Sequence, residues 1–155
     1  MSESYTGYRD YAWAYFQVHA QQRLQTFEFY ITISTALLAG FIGLREFAEM
    51  GRLSSLIGVG LIFNSFIFWK LDSRTRELIK NAENALIEIE RIMLGQDEGE
   101  EPGPLKLFSR DEFLVKAASP WPLLVGHFTY SRCFRWVFGF FSFAGVGIIC
   151  LALSG

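Results

Sequence analysis

Three long apolar stretches are the main pattern along this chain. The first, 29–44, is uncharged up to Arg45, the second, 53–69, ends at Lys70, and the third, 136–155, carries no charge at all. A membrane-spanning helix needs about 20 apolar residues, with a range of roughly 17 to 25. The third stretch meets this length directly. The first two are slightly short, but flanking basic side chains can reach the lipid headgroups, so we expect all three to span a bilayer.

Helices are predicted to extend beyond the first two spans. No Pro or Gly interrupts the chain between Tyr8 and Ala39, which predicts one helix from the N-terminal segment to Leu44. After the second span, apolar residues recur at helical spacing, which predicts a helix with one buried face. That face consists of Leu71, Leu78, Ala82, Leu86, Ile89 and Met93. Its expected partner is the N-terminal helix or the same helix of another subunit.

Local signals predict how this second helix is stabilised and where it ends. Asp72 and Arg76 have the acid-first i,i+4 spacing of a helical ion pair. Gly95 is expected to end the helix as a C-cap. The acidic, Gly- and Pro-containing stretch 96–104 then predicts an exposed loop, and it lacks the ligand alternation of a calcium loop.

A short helix is predicted at Ser109–Ala117, with Ser109 as N-cap and Glu112 completing a capping box. The stretch 120–128 is too short and too interrupted by Pro to cross a membrane, although it could insert halfway.

These elements predict an all-α integral membrane protein with about three transmembrane helices and cytoplasmic helical extensions. We divide it into a cytoplasmic or juxtamembrane helix, a transmembrane hairpin, a cytoplasmic helical segment and a C-terminal transmembrane helix, at 1–28, 29–70, 71–134 and 135–155.

Composition supports this class and excludes others. Of 155 residues, 51% are hydrophobic and 17% aromatic, which is more apolar surface than a small water-soluble fold can bury and far from the composition of a disordered chain. Two Cys do not make a disulfide scaffold. A net charge of −2 gives no drive toward nucleic acid.

The distribution of Lys and Arg predicts the orientation. Twelve lie in the N-terminal segment and the segment between the second and third spans, against two in the loop between the first two spans. The positive-inside rule therefore places the N-terminus and the long middle segment in the cytoplasm of a multi-pass inner-membrane protein. No secretory signal peptide is visible at the N-terminus, so the first span is expected to be retained.

The residues suggest no enzyme, and we expect no cofactor or metal. There is no phosphate loop, no GxSxG and no HExxH, and neither His19 nor His127 has a second ligand at helical spacing. Asn64 is the most informative polar residue of the spans, because a mid-span amide needs a partner. It serves either as interhelical glue or as part of a pore-lining ring. Ser65, Gly40 and Gly60 are further candidates for an oligomer interface or pore, since small residues allow helices to approach closely.

The order of a cytoplasmic helix, a membrane hairpin and an amphipathic helix resembles a known group of proteins. The segments YFQVHAQQRLQTFEFYITISTALLAG and FWKLDSRTRELIKNAENALIEIE, within 11–93, carry this layout. It resembles small bacterial membrane effectors of anti-phage systems, such as the SLATT-type two-span effectors. The resemblance implies an oligomer that disturbs the inner membrane when a partner or signal reaches its cytoplasmic face.

Two functions therefore compete. The first is an oligomeric inner-membrane effector or sensor of anti-phage defence, which could form a pore. The alternative is a non-conducting anchor that recruits a soluble partner protein to the cytoplasmic face. Neither requires direct nucleic acid binding.

Overall fold

The computed structural model describes residues 2–44, 51–95, 101–117 and 130–154, and it is all-helical over those ranges. The four helices are α1 (Ser2–Leu44), α2 (Gly51–Leu94), α3 (Leu107–Ala117) and α4 (Tyr130–Ser154). Helices α1, α2 and α4 are long and apolar enough to cross a membrane. The prediction of an all-α protein with three candidate transmembrane helices is confirmed.

Both long helices continue without a break from their polar into their apolar parts. Helix α1 covers the predicted continuous range and begins a few residues earlier, at Ser2. Helix α2 runs from Gly51 to Leu94 and is followed by Gly95 at φ +84°. Glycine adopts this left-handed conformation without steric cost, so the predicted C-cap is confirmed.

The chain packs as two compact units. Arg23–Arg74 and Thr129–Gly155 contain the three predicted spans and are called the membrane unit, and Met1–Gln22 and Thr75–Phe128, which we expect to lie outside the bilayer, are called the extramembrane unit. The four-part division predicted from the sequence stays a prediction.

Aromatic rings fill the core of the membrane unit. Phe27 of α1 stacks on Phe134 of α4 with ring centroids 3.8 Å apart. Tyr30, which is fully buried, meets the edge of Phe138 at 4.7 Å. Such ring pairs add to the attraction of simple burial and hold α1 and α4 in a defined register. The other buried core residues are Leu61, Phe141 and Ile148.

In the extramembrane unit, α3 begins before the position that the sequence suggested. It starts at Leu107, so Ser109 lies inside the helix and the predicted N-cap is wrong. The cap comes from another helix: the Glu90 carboxylate of α2 accepts hydrogen bonds from the backbone N–H groups of Phe108 (3.1 Å) and Ser109 (2.9 Å). A carboxylate satisfies free N-terminal amides and opposes the positive end of the helix dipole, which explains the displaced start.

Some predictions fall outside the described residues. These are the first part of the acidic loop, 96–100, and the stretch 120–128. In the described part of that loop, Glu101 pairs with Arg110 at 3.1 Å, with both side chains about half exposed.

Candidate functional site in the membrane unit

A bidentate ion pair joins α1 and α2 at one end of the membrane unit. Arg23 donates to both carboxylate oxygens of Asp72, from Nε at 2.6 Å and from Nη2 at 3.2 Å. The two side chains are only 13% and 10% exposed. The expected helical pair of Asp72 with Arg76 is therefore wrong, because Asp72 points toward α1.

The same guanidinium also contacts α4. Its Nη2 donates to Ser131 Oγ at 3.0 Å, and its central carbon lies 5.1 Å from the centroid of the Phe134 ring. One cation thus connects all three candidate spanning helices. We call Arg23, Asp72 and Ser131 the three-helix clasp.

The sequence patterns did not predict this clasp. A usable signal exists, since Arg23 and Asp72 have opposite charge and lie just beyond two predicted spans, on the same predicted side of the membrane. Pairing them, however, requires knowing which faces of α1 and α2 meet.

Two neutral hydrogen bonds connect α1 and α2 farther along the membrane unit. The Tyr30 hydroxyl and Ser65 Oγ lie 3.0 Å apart, and Asn64 Nδ2 donates to Ser34 Oγ at 3.0 Å. Ser34 and Ser65 are buried. Both polar candidates from the sequence, Asn64 and Ser65, therefore have partners within their own chain. This arrangement favours the interpretation of Asn64 as interhelical glue.

Glycine allows α2 and α4 to touch backbone to backbone. A Cβ on Gly58 would lie 2.7 Å from the carbonyl oxygen of Gly145, and a Cβ on Gly145 would lie 2.7 Å from that of Gly58. By contrast, a Cβ on Gly40 or Gly60 would meet only side chains at ordinary distances of 3.9 Å or more. The close contact within the chain is made by Gly58 and Gly145, and the proposed role of Gly40 and Gly60 between subunits stays a prediction.

The predicted buried face of α2 is only partly buried. Ala82 and Leu86 are each 4% exposed, with Ile79 and Ile87 buried beside them. Leu78 and Ile89 are half-buried. Met93 is 48% exposed, and Leu71, which belongs to the membrane unit, is 47% exposed. The predicted face is therefore buried at its centre and exposed at both ends.

A cavity of about 460 Å³ opens in the extramembrane unit, where α1, α2 and α3 meet. This volume is within the range of small-molecule sites. Its lining is mostly apolar and comprises Arg9, Asp10, Trp13, Leu86, Ile89, Glu90, Met93, Leu94, Leu105 and Phe108. Trp13 and Phe108 meet edge to face at 6.2 Å. Beside the cavity, the buried Lys106 donates from Nζ to the carbonyl oxygen of Gly95 at 2.7 Å.

Within the ranges that the structure describes, no group of three or more His, Cys, Asp or Glu side chains is placed to hold a metal ion. In the described part of the membrane unit, the pairs Arg23–Asp72, Tyr30–Ser65 and Asn64–Ser34 hold neighbouring helices together.

The fold and these contacts define a multi-pass α-helical membrane protein whose three candidate spans are joined by interior polar contacts. The chain is 36% identical over 151 residues to CD-NTase-associated protein 19 of Escherichia coli. The aligned region covers 94% of this chain and 91% of that protein. The chain belongs to the family of this CD-NTase-associated protein. Membership of the SLATT-type families is not shown.

No protein-family model matches the chain, and no solved structure matches it.

Proposed function

We propose that this protein is an oligomeric effector of a bacterial anti-phage system that acts by changing the permeability of the inner membrane. The relationship to a CD-NTase-associated protein supports the defence context. The three candidate spanning helices support a site of action in the bilayer. The proposal requires no catalytic residue, and we regard the protein as a non-enzyme.

One observation carries the mechanism: two pairs of polar side chains inside the membrane unit are satisfied by contacts between its own helices. Asn64 is bonded to Ser34, and Tyr30 to Ser65. A chain in this state presents mostly apolar helix surfaces to lipid and has its polar groups paired inside. This is the expected resting form of an effector that must not let ions cross the membrane before its signal arrives. Opening then requires several copies and a rearrangement that turns some of these groups toward water.

The three-helix clasp is the contact that such a rearrangement would have to break. In addition to the aromatic core and the Gly58–Gly145 contact, it connects α4 to the α1–α2 pair through the Arg23 guanidinium. In this proposal the N-terminus and the middle segment are cytoplasmic, so a signal arriving there acts next to the clasp.

Asn64→Leu tests the proposal. Purified protein is reconstituted into a planar bilayer with its partner and trigger, and its mass is measured in detergent. If Asn64 lines the open path, the variant loses conductance and keeps the wild-type assembly mass. If Asn64 is only glue between α1 and α2, the variant keeps its conductance and its free energy of unfolding falls by about 1 kcal/mol, the scale of polar contacts between membrane helices. Asn64→Asp serves as the complementary variant, since a ring of carboxylates favours cations in a pore.

The anchor function remains the second candidate, and the apolar cavity of the extramembrane unit favours it. Exposed apolar side chains, including Leu105 and Leu107, lie on and next to α3 and could contact a partner protein. Wild-type protein that recruits a soluble partner but shows no conductance, even with its trigger present, would support the anchor over the channel.

A further inference from the structure

Several positively charged side chains lie at the end of the membrane unit that contains the three-helix clasp. Arg23 and Asp72 neutralise each other there. Three further cations at this end, Lys70, Arg132 and Arg135, are exposed.

The clasp fixes the height of these cations. Asp72 and Ser131 both bind Arg23, so those two positions of α2 and α4 lie at the same level. Lys70, Arg132 and Arg135 are at most four residues from one of these positions. At a rise of 1.5 Å per residue, all three lie within about 6 Å of that level along their helices. We call Lys70, Arg132 and Arg135 the basic collar.

Exposed aromatic side chains at the same level indicate that this level is a membrane–water interface. Trp69 and Trp136 each lie next to a collar residue in sequence, Tyr130 lies two residues before Arg132, and all three are exposed. The Lys70 ammonium is 5.2 Å from the centroid of the Trp69 ring. Exposed Trp and Tyr are typical of the lipid headgroup region, and the apolar parts of α2 and α4 begin just beyond them.

Acidic side chains do not cancel the collar. In the described residues at this end of the unit, the acids are Asp72, held by Arg23, and Glu28 on α1. Outward-facing positive charge at headgroup depth complements a surface of negative charge.

We propose that the basic collar binds the phosphate groups of anionic phospholipids. Guanidinium groups bind phosphate through two parallel N–H donors, and Arg132 and Arg135 supply two of the three collar cations. Each cation near an anionic membrane surface strengthens binding by about fivefold. This assignment is independent of whether the protein conducts ions, so it holds for a channel and for an anchor.

The test uses the full chain in neutral detergent, titrated with short-chain phosphatidylglycerol or, separately, phosphatidylcholine. The readout is the thermal unfolding midpoint as a function of lipid concentration. Phosphatidylglycerol should raise the midpoint of the wild type, and phosphatidylcholine should leave it nearly unchanged. In the double variant Arg132→Gln/Arg135→Gln, the apparent affinity for phosphatidylglycerol should fall by about 25-fold, which is fivefold for each cation.

The matched control is Lys80→Gln/Arg91→Gln, which removes two exposed cations from the part of α2 in the extramembrane unit. It has the same net charge as the collar variant and should respond like the wild type. The variant Arg132→Lys/Arg135→Lys should keep most of the response, which separates loss of charge from loss of folding.

Three results would overturn the proposal. The first is a collar variant with wild-type affinity for phosphatidylglycerol. The second is equal stabilisation by phosphatidylcholine, which would show a general lipid effect. The third is equal stabilisation by inorganic phosphate, which would assign the collar to a soluble anion.

Discussion

At the scale of single residues, one charged side chain of the membrane unit connects three helices. Arg23 bonds to α2 and α4 at once, and its partner Asp72 is almost fully buried. Burying a charge is unfavourable unless it is paired and hydrogen-bonded, and this arrangement meets both conditions.

Asp72→Asn should therefore destabilise the protein strongly. It leaves the Arg23 guanidinium without its counterion, and removing one partner of a buried pair costs about 3–5 kcal/mol. We expect a value near the lower limit, because Ser131 and Phe134 still contact Arg23. Thermal or denaturant unfolding in detergent measures the loss.

Glu88→Gln is the control for this change. It breaks the pair of Glu88 with Arg91, whose side chains are both more than half exposed, and such pairs contribute about 0–1 kcal/mol. Equal losses for the two variants would mean that the Arg23–Asp72 pair contributes no more than a surface pair.

Gly58→Ala and Gly145→Ala should each cost about 1–3 kcal/mol, since the new methyl group meets the opposing backbone at 2.7 Å. Gly147→Ala on the same helix α4 is the control, because nothing lies within 4 Å of its Cβ position. That change should be neutral or stabilising, as alanine is the better helix former. Similar unfolding midpoints for all three variants would contradict the close contact between α2 and α4.

At the scale of elements, α3 is positioned by polar contacts to the end of α2. Glu90 caps the start of α3, and Lys106, just before α3, binds the Gly95 carbonyl at the end of α2. The two contacts complement the opposite charges of the two helix ends.

Glu90→Ala should release the first turn of α3. Loss of a helix cap costs about 1–2 kcal/mol, which corresponds to roughly tenfold faster amide exchange in 107–117. Hydrogen exchange with mass spectrometry reads this directly. Glu88→Ala serves as the control, and unchanged exchange in the Glu90 variant would show that α3 is held by its apolar contacts alone.

The α2 face offers a comparison between a buried and an exposed position on one helix. Leu86→Asp places a carboxylate in an apolar core and should prevent stable folding. Met93→Asp changes an exposed side chain and should leave the unfolding midpoint of the chain nearly unchanged. If the exposed end of this face joins subunits, Met93→Asp should lower the assembly mass measured by light scattering. A wild-type mass would place the oligomer contact elsewhere.

At the scale of the whole molecule, the clasp brings together three positions that flank the three predicted spans on one side. Arg23 precedes the first predicted span, Asp72 follows the second and Ser131 precedes the third. This contact agrees with a topology in which the N-terminal and middle segments share one side of the membrane.

The charge count predicts that this side is cytoplasmic, and fusion proteins test the prediction. Alkaline phosphatase fused after Gly155 should be active, because it would be exported, and the same enzyme fused near Gly99 should be inactive. Expression of both fusions is compared by immunoblot. The reverse pattern of activity would contradict the three-span orientation.

The sequence by itself determined the helices and the class of protein. Charge-free stretches of near-spanning length, the lack of Pro and Gly between Tyr8 and Ala39, and the glycine at Gly95 are local properties, so they predict helix bounds without any knowledge of packing. The all-α architecture with three candidate membrane-spanning helices followed from them.

Only the tertiary structure decided which side chains meet. Asp72 had a plausible partner four residues away, yet it binds Arg23, which lies 49 residues earlier in the chain. Ser109 had the spacing of an N-cap, yet Glu90 of α2 provides the cap. Several glycines had similar surroundings in sequence, and only the crossing of α2 and α4 singled out Gly58 and Gly145. The physical reason is the same in each case: local spacing fixes the face on which a residue lies, whereas its partner depends on which helix packs against that face and at what height.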